Sequence, residues 1–181
     1  MQYQKYLWKT DTVVGIGCSI IKNNQVNKNI NEIFEIKKRG VEKKLPWLIS
    51  SVKMLENYVD INDNIVKIIE KEWPGDTTIV LHLKNDLMDK YRNLALDDGT
   101  IAFRIPDDEN LRKIIENNNA PIACTSANIS GNNFVNKIVD VDSEILNSVD
   151  FVYEHIIKKN KHKKPSKILR LEDNQTIILR N

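Results

Sequence analysis

The sequence predicts an α/β (α+β) fold, in which a twisted, open and mixed sheet is flanked by helices. The length of 181 residues fits one domain, so residues 1–181 are assigned to a single domain. Short apolar runs bounded by Gly, Pro or polar residues are interleaved with amphipathic helical patterns. They do not follow the strict strand–helix–strand alternation of a Rossmann fold, and neither GxGxxG nor GxxxxGK[ST] occurs.

Composition indicates a globular protein. The chain has 27 Lys and Arg against 25 Asp and Glu, for a formal net charge of +2, and 41% of its residues are hydrophobic. Such a chain can fill a core and does not resemble a disordered segment. No stretch approaches the roughly 20 apolar residues of a membrane span. The N-terminus MQYQKYLWKTDT lacks the apolar run of a signal peptide, so a cytoplasmic protein without a membrane partner is predicted.

Cysteine and histidine usage excludes two kinds of site. Cys18 and Cys124 lie in separate apolar stretches, which favours two buried free thiols. The three histidines form no pair at metal-ligand spacing: His82, His155 and His162. The sequence therefore predicts neither a structural zinc site nor a catalytic triad, and no protein ligands for a metal.

The order of elements follows from periodicity and breakers. A strand is predicted at Tyr3–Lys9, and Gly15-Ile16-Gly17 is interpreted as a turn. A helix follows and is expected to stop at Gly40, because residues recur at i, i+3, i+4 and i+7: Ile30, Ile33, Phe34 and Lys37. Further helices are predicted around Ile65–Ile69, after a cap at Asp107 or Asp108, and at Ser143–Leu146. Further strands are predicted at Pro46–Ile49, Thr77–Leu83, Thr100–Ile105, Pro121–Cys124, Phe151–Tyr153, Lys167–Leu171 and Thr176–Leu179.

The segment after Cys124 is the first candidate for a ligand site. Thr125 to Gly131 reads TSANISG, which is too polar and turn-prone to continue the strand, so its side chains are expected at the edge of the sheet. A hydrogen-bonded turn without a ligand remains an equal alternative.

Cationic side chains are the second group of candidates. Lys is the common cation and only six Arg occur, which favours these for roles that need a planar, bidentate donor: Arg39, Arg92, Arg104, Arg112, Arg170 and Arg180. Arg104 lies in an apolar strand, so its charge must reach an acid, a phosphate or the rim of the sheet. For Lys37 and Arg39 a solvated helix end is the alternative to a ligand contact, and for Thr10-Asp11-Thr12 a simple turn.

Five segments in this order resemble the YrdC/Sua5 family. They are TDTVVGIGC, IKKRGVEKKLPWLI, WPGDTTIVL, GTIAFRIPDD and PIACTSANISG, and the resemblance runs from about Thr10 to Ile168. TSANxSG is its most specific motif. The resemblance implies the YrdC-like fold in its minimal form, without the C-terminal Sua5 domain.

The resemblance also implies an activity. L-threonine, bicarbonate and ATP, with Mg²⁺ as cofactor, would give threonylcarbamoyl-AMP and pyrophosphate, and a separate threonylcarbamoyl transferase would use the product for the t6A modification of tRNA. This reaction needs alignment of the reactants and balancing of phosphate charge, without a covalent nucleophile. A chain without a triad suits that demand.

Site residues are carried over from the motif positions. Lys37 and Arg39 match the residues on the triphosphate, and Arg104 matches an arginine of the same cleft that contacts threonine's carboxylate or phosphates; these three are the expected catalytic residues. The expected nucleotide contacts also include Thr125, Ser126, Asn128 and Ser166. Thr10 and Thr12 match the threonine pocket, and Thr78 matches a structural hydrogen bond.

The chain departs from the family pattern at several positions. Lys9 replaces a proline, Val14 an aromatic residue, Asp76 a proline and Lys167 a threonine, and Ser50 stands where some members have histidine. These departures predict changes in substrate affinity, mainly on the threonine side.

A basic run supports a second hypothesis, a tRNA- or double-stranded-RNA-binding protein on the same fold without synthase activity. The run comprises Lys158, Lys159, Lys161, Lys163, Lys164 and Lys167. A solvated lysine loop is the alternative, and the absence of an RNP motif argues against sequence-specific recognition.

Overall fold

A mixed nine-stranded sheet forms the centre of the computed structural model, which describes residues 4–20, 24–153, 164–172 and 175–181. The strands are β1 (Lys5–Lys9), β2 (Val14–Ser19), β3 (Trp47–Leu48), β4 (Thr77–His82), β5 (Thr100–Arg104), β6 (Ile122–Ser126), β7 (Phe151–Tyr153), β8 (Lys167–Glu172) and β9 (Gln175–Arg180). The helices are α1 (Asn24–Ile36), α2 (Val52–Leu55), α3 (Asp63–Glu72), α4 (Met88–Tyr91), α5 (Glu109–Asn118) and α6 (Ser143–Ser148).

The strand order is β7-β1-β2-β6-β3-β5-β4-β8-β9. Three pairs are parallel, β1 with β7, β3 with β5 and β4 with β8, and the others are antiparallel. The α/β (α+β) prediction with an open, mixed sheet is therefore confirmed.

Side-chain caps fix the starts of the helices. Asn62 caps α3 by accepting from the Ile65 N–H at 3.0 Å, and Asp108 caps α5 by accepting from the Leu111 N–H at 3.1 Å. Asp108, and not Asp107, is thus the cap. Asn119 ends α5 in the left-handed conformation with φ 48°, which an asparagine tolerates better than most residues.

Two apolar cores lie on opposite faces of the sheet. The larger core packs α1 and α6 through Ile33, Phe34 and Ile145 against strand residues such as Ile16 and Phe103. The smaller core packs α5, through residues such as Ile115, against the other face. Packing in the larger core positions α1, and the C-terminal end of α1 borders the site described below.

Three predicted boundaries were wrong. Gly15 and Gly17 belong to β2 and do not form a turn, and β6 continues through Thr125 and Ser126. Helix α1 ends at Ile36, four residues before Gly40. Both strand errors have one cause: β2 and β6 pair with each other, Gly15 opposite Ser126 and Gly17 opposite Cys124, and this tertiary pairing overrides the local turn preference.

The other predicted elements are confirmed within two residues at most boundaries, although Tyr3 lies outside the described residues. Cys18 and Cys124 are buried free thiols, and burial raises the pKa of each to about 12. His155 and His162 also lie outside the described residues. Within the part of the chain that the structure describes, no helix is both long enough and apolar enough to cross a membrane.

Candidate active site

Cross-strand rows place Arg104 and Ser126, two of the predicted residues, on one face of the sheet, here called the site face. Arg104 of β5 pairs with Leu48 of β3, which pairs with Ile122 of β6, so these three share a face. Alternation along β6 adds Cys124 and Ser126 to the same face. The site face therefore joins the GTIAFRIP and TSAN motifs, which are distant in sequence.

Two glycines keep the adjacent part of β2 free of side chains. Residues 14, 16, 18 and 20 of this region are apolar and face the larger core, so Gly15 and Gly17 point to the site face. A Cβ at Gly17 would lie 2.1 Å from the Ala123 carbonyl oxygen, and one at Gly15 would lie 3.0 Å from the Cys124 sulfur. The two glycines of VGIGC thus allow β2 to approach β6 closely. They also leave this part of the site face without side chains.

A Schellman motif at the end of α1 separates Lys37 from Arg39. The Arg39 N–H donates to the Phe34 carbonyl at 2.9 Å, and the Lys38 N–H donates to the Glu35 carbonyl at 3.0 Å. Lys38 takes φ 51°, in the left-handed region. The reversal directs the neighbours of Lys38 to different places: Lys37 inward, toward the end of β6, and Arg39 to a half-buried position.

Lys37 is buried, with 1% of its surface exposed, although a lysine near a helix end is usually solvated. Its ammonium donates to the main-chain carbonyls of Ser126 and Asn128. Burial, with a further contribution from the charge of Arg39, lowers the pKa of Lys37 to about 8. The solvated-end interpretation was therefore wrong for Lys37, whose ammonium lies among the TSAN carbonyls.

Arg39 presents an unoccupied fork. Its Nε donates to the Lys43 carbonyl at 3.0 Å, while its two Nη groups have no hydrogen bond within the described residues. Burial lowers the pKa of Arg39, and the charge of Arg180 adds to the effect against the opposing charge of Glu42. A partly desolvated guanidinium with free donors is well suited to an oxyanion.

Arg180 is a cation that motif matching did not assign to the site. It donates to the Ser166 carbonyl from Nε at 2.8 Å and from Nη2 at 2.6 Å. Partial burial, followed by the charge of Arg104, lowers the pKa of Arg180. Arg180 is exposed at the end of β9, and its positive charge acts on Arg39 while that of Arg104 acts on it. The scarcity of arginine in the sequence was the only signal for it.

Ser166, a predicted nucleotide contact, lies beside Arg180. Its hydroxyl lies 2.8 Å from the Thr78 hydroxyl and 3.2 Å from Nη2 of Arg180. Thr78 thus makes the structural hydrogen bond that the sequence predicted.

Arg104 makes a buried ion pair with Asp11. Nη2 of Arg104 lies 2.6 Å from the Asp11 carboxylate, and both side chains are less than one tenth exposed. Nη1 donates to the Thr12 hydroxyl at 3.1 Å, and Nε donates to the Gly75 carbonyl at 2.8 Å. Within the described residues, one N–H on each Nη group has no acceptor. Burial raises the pKa of Asp11, against the opposing effects of Arg104 and the Asp107 N–H.

The hydroxyls predicted to line the threonine pocket, those of Thr10 and Thr12, already make hydrogen bonds within the protein. Thr10 donates to the Val13 carbonyl at 2.7 Å, so Thr12 is the donor in the 2.9 Å contact between the two hydroxyls. Thr12 also accepts from Arg104. Thr10 and Thr12 therefore shape the wall next to Arg104 and hold Asp11 in place between them.

Asn128 carries an acceptor without a partner. Its Nδ2 donates to the carbonyls of Ile129 at 3.0 Å and Asn132 at 2.8 Å, while its buried Oδ1 has no hydrogen-bond partner among the described residues. A buried polar atom left unpaired is costly, and a ligand donor would remove that cost. The hydroxyls of Thr125 and Ser126, both half-buried, have no hydrogen bond within the described residues.

All nine predicted site residues lie in the described part of the chain, and their charges and contacts link most of them. Lys37 contacts the TSAN segment, Arg180 donates to Ser166, and the charge of Arg180 acts on Arg39. Asp11 and Arg180 are the additions that the structure makes. The role of each residue toward a ligand remains a prediction.

A family model identifies the chain. The Sua5/YciO/YrdC model, described as "Telomere recombination", matches residues 6–181. The chain belongs to this family. The resemblance inferred from five short motifs is thereby confirmed across almost the whole chain.

A relative in this family carries the name of the predicted enzyme. A protein of Methanocaldococcus jannaschii named "Putative threonylcarbamoyl-AMP synthase" is 34% identical over 171 residues, which cover 94% of this chain and 76% of that protein.

Solved structures of Pyrococcus abyssi Sua5 are also similar. One of them superposes with a TM-score of 0.83 at 26% identity, and another, complexed with L-threonine, with a TM-score of 0.79 at 25% identity. The matches cover 98% of this chain in both cases and 52% and 50% of the Sua5 chains. The chain thus spans about half the length of Sua5, and the YrdC-like fold is confirmed.

Proposed function

We propose that this protein is an L-threonylcarbamoyladenylate synthase, a nucleotidyltransferase that forms threonylcarbamoyl-AMP and pyrophosphate from L-threonine, bicarbonate and ATP. One observation carries the proposal. The free guanidinium fork of Arg39 and the unpaired Oδ1 of Asn128 lie on two segments that Lys37 ties together. The first suits phosphate oxygens and the second suits a hydroxyl or amino donor of a nucleoside.

The reaction can be written with its atoms balanced. Bicarbonate takes up a proton and loses water to give carbon dioxide. Threonine's amine adds to this carbon dioxide, which forms the N–C bond of a carbamate and releases a proton. A carbamate oxygen then attacks the α-phosphorus of ATP, the bond to the β-phosphate oxygen breaks, and pyrophosphate leaves. Charge accumulates on phosphate oxygens and not on a protein nucleophile, so fixed cations are the required catalytic groups.

The cations meet this requirement in different ways. Arg39 supplies two free Nη groups for a triphosphate, and the spare N–H of Lys37 adds a point charge nearby. Arg180 would add a third positive charge, since its charge acts on Arg39 and the charge of Arg104 acts on it. Ser126 and Asn128 would bind the nucleoside, with Thr125 and Ser166 beside them.

Arg104 would bind threonine with its spare N–H groups while its ion pair fixes the guanidinium plane. The residues that depart from the family pattern differ in their expected effect on threonine binding. Val14 is fully buried in the larger core and does not line the site face. Ser50 contacts the Met54 sulfur at 3.8 Å, and Lys167 pairs with Glu72 at 3.4 Å.

Mg²⁺ would enter with the substrate. In residues 4–20, 24–153, 164–172 and 175–181 no group of three or more His, Cys, Asp or Glu side chains is arranged to hold a metal ion. Mg²⁺ prefers oxygen ligands and is commonly bound through substrate phosphates and water. The proposed role of the ion is to screen the triphosphate while Arg39 and Lys37 position it.

Pyrophosphate release from ATP and Mg²⁺ tests the function. Release that requires both threonine and bicarbonate is expected, and mixtures lacking either one serve as controls. Release without threonine would indicate an ATP pyrophosphatase, and no release with all substrates present would contradict the proposal.

RNA binding has less support in the structure. Lys158, Lys159, Lys161 and Lys163 lie outside the described residues, and Lys167 is engaged with Glu72. The hypothesis of an RNA-binding protein, the downstream transferase and the cytoplasmic location stay predictions.

The affinity for ATP is expected to fall as the pH rises through about 8, because the pKa of Lys37 in the free protein is about 8. Below this pH the ammonium attracts the triphosphate; above it the neutral amine does not. The loss should approach about tenfold per pH unit until the pKa of the bound state is reached. Isothermal titration calorimetry of wild type and Lys37→Met between pH 6.5 and 9.5 measures it.

Two neighbours of Lys37, Arg39 and Cys124, do not titrate between pH 6.5 and 9.5 and so do not contribute to the expected pH dependence. Arg39 remains charged throughout the range, and the pKa of Cys124 is about 12. A pH-independent affinity in wild type would contradict the assignment of Lys37 to the triphosphate.

A further inference from the structure

We propose that Lys37 is a positioning residue for the nucleoside end of the site, because its ammonium holds the TSAN segment (residues 125–131) in its binding shape. This inference rests on the proposed function and extends it. A phosphate-binding lysine would act only on the triphosphate. A lysine that shapes the TSAN segment also determines how the base and ribose are bound.

The hydrogen bonds around Lys37 form a small closed unit. Its ammonium donates to the carbonyls of Ser126 and Asn128, on either side of Ala127. In return the Ser130 N–H donates to the Lys37 carbonyl at 2.8 Å. The chain from Ser126 to Ser130 is therefore attached to one residue at three points, two through its side chain and one through its main chain.

The rest of the TSAN segment has few alternative supports. The Ala127 N–H donates to the Val14 carbonyl at 2.8 Å, which ties the start of the segment to β2. Beyond it, the Asn132 N–H donates back to the Ile129 carbonyl at 3.0 Å, a bond within the turn. Within the described residues, the hydrogen bonds from other elements to residues 128–130 come from Lys37, and Ile129 in addition packs against the larger core. Without its ammonium the carbonyls of Ser126 and Asn128 would lose their donor.

Burial of the Lys37 ammonium carries a desolvation cost, which its hydrogen bonds must offset. The residue is 1% exposed, and the structure gives its ammonium no carboxylate partner within the described residues. A buried ammonium is tolerated when its N–H groups are bonded, and here the acceptors are main-chain dipoles. The positive charge is therefore left uncompensated by an acid. The same group can hold the TSAN segment with two N–H bonds and attract a phosphate with the third.

The position of Asn128 links this arrangement to ligand recognition. The carbonyl of Asn128 accepts from Lys37, while its side-chain Oδ1 is the unpaired acceptor. Because both groups belong to one residue, release of the carbonyl changes the direction of Oδ1. Lys37 thus positions an acceptor that it does not itself touch.

Adenosine distinguishes positioning from phosphate binding, because it has the nucleoside and no phosphate. Calorimetry with ATP and with adenosine would be carried out on the full chain of wild type, Lys37→Met and Arg39→Ala. For Lys37→Met we expect the affinity for adenosine to fall by about tenfold or more. For Arg39→Ala we expect weaker ATP binding and adenosine affinity within about twofold of wild type.

Lys84→Met is the matched control. Lys84 also donates from its ammonium to a main-chain carbonyl, that of Glu56 at 2.6 Å, but on a different part of the fold. Its replacement should leave both affinities within about twofold of wild type. If Lys37→Met weakened ATP binding and left adenosine binding unchanged, Lys37 would be a phosphate ligand only and the proposal would be wrong.

Amide hydrogen exchange supplies a second measurement that needs no ligand. Lys37→Met should speed exchange at Ala127 and Ser130, while Ile79 and Phe103 in the core strands stay protected. Unchanged exchange in the TSAN segment would overturn the proposal. If Lys37→Met failed to fold, Lys37→Arg, which keeps a buried cation, would be compared by the same exchange measurement.

Failure of the proposed function gives a different result. A wild-type protein that binds neither ATP nor adenosine would refute the synthase assignment, while the exchange measurement would still decide whether Lys37 holds the TSAN segment.

Discussion

Replacement of Arg104 by alanine is expected to lower the free energy of unfolding by about 3–5 kcal/mol, because it leaves a buried carboxylate without its partner. Asp11 is 6% exposed and its nearest cationic atom is Nη2 of Arg104, at 2.6 Å. The variant also removes the donors to Thr12 and to the Gly75 carbonyl. Urea denaturation followed by circular dichroism measures the change.

Two companion variants test the cause. Arg92→Ala breaks an exposed pair with Asp89, 3.4 Å apart, and should cost less than about 1 kcal/mol. The double variant Arg104→Met with Asp11→Leu removes both charges, and much of the lost stability should return. If Arg104→Ala cost no more than Arg92→Ala, Arg104 would not anchor the segment around Asp11.

Replacement of Arg39 by alanine is expected to reduce kcat/KM for pyrophosphate release by about 10²–10³, with the fold intact. Arg39 is half-buried and its only hydrogen bond within the described residues is from Nε to the Lys43 carbonyl, so the fold depends little on it. The loss arises because its free Nη groups are the donors for phosphate oxygens that gain charge as pyrophosphate leaves. Steady-state assays in saturating threonine and bicarbonate measure it.

The controls for Arg39 separate charge from geometry. Arg39→Lys keeps the charge without the fork, so an intermediate rate is expected. Asn128→Ala should also lower pyrophosphate release strongly, through loss of the nucleoside contact, with an unchanged circular dichroism spectrum. Wild-type rates in Arg39→Ala would place Arg39 outside the active site, and an unfolded Arg39→Ala would assign it a structural role.

The sequence predicted the elements of this fold where local pattern and tertiary context agree. Strands such as β4 and β5 combine apolar runs with clear breakers, and Asp108 stands at a helix start with suitable capping chemistry. The prediction failed for Gly15 and Gly17, because glycine is a turn signal by default. Here a Cβ at Gly17 would meet the Ala123 carbonyl, a constraint imposed by a strand more than 100 residues away in the chain.

The candidate site, too, has residues that the sequence predicted and features that only the structure shows. Motif order alone brought Lys37, Arg39, Arg104 and the TSAN segment into one site, because the resemblance carries that information. It could not supply Arg180 or the pairing of Arg104 with Asp11, since neither follows from local spacing. Both depend on which strands become neighbours: β9 beside β8, and the end of β1 near the end of β5.

By itself, the sequence determined the fold class, the family and most of the cationic and amide side chains proposed for the site, because these follow from residue types and their order along the chain. Only the tertiary structure decided which donors and acceptors are already used. The ammonium of Lys37 is committed to two carbonyls, whereas the two Nη groups of Arg39 and Oδ1 of Asn128 have no partner in the part of the chain that the structure describes. The physical reason is that burial removes water as a partner, so the availability of a polar group is set by its neighbours in space.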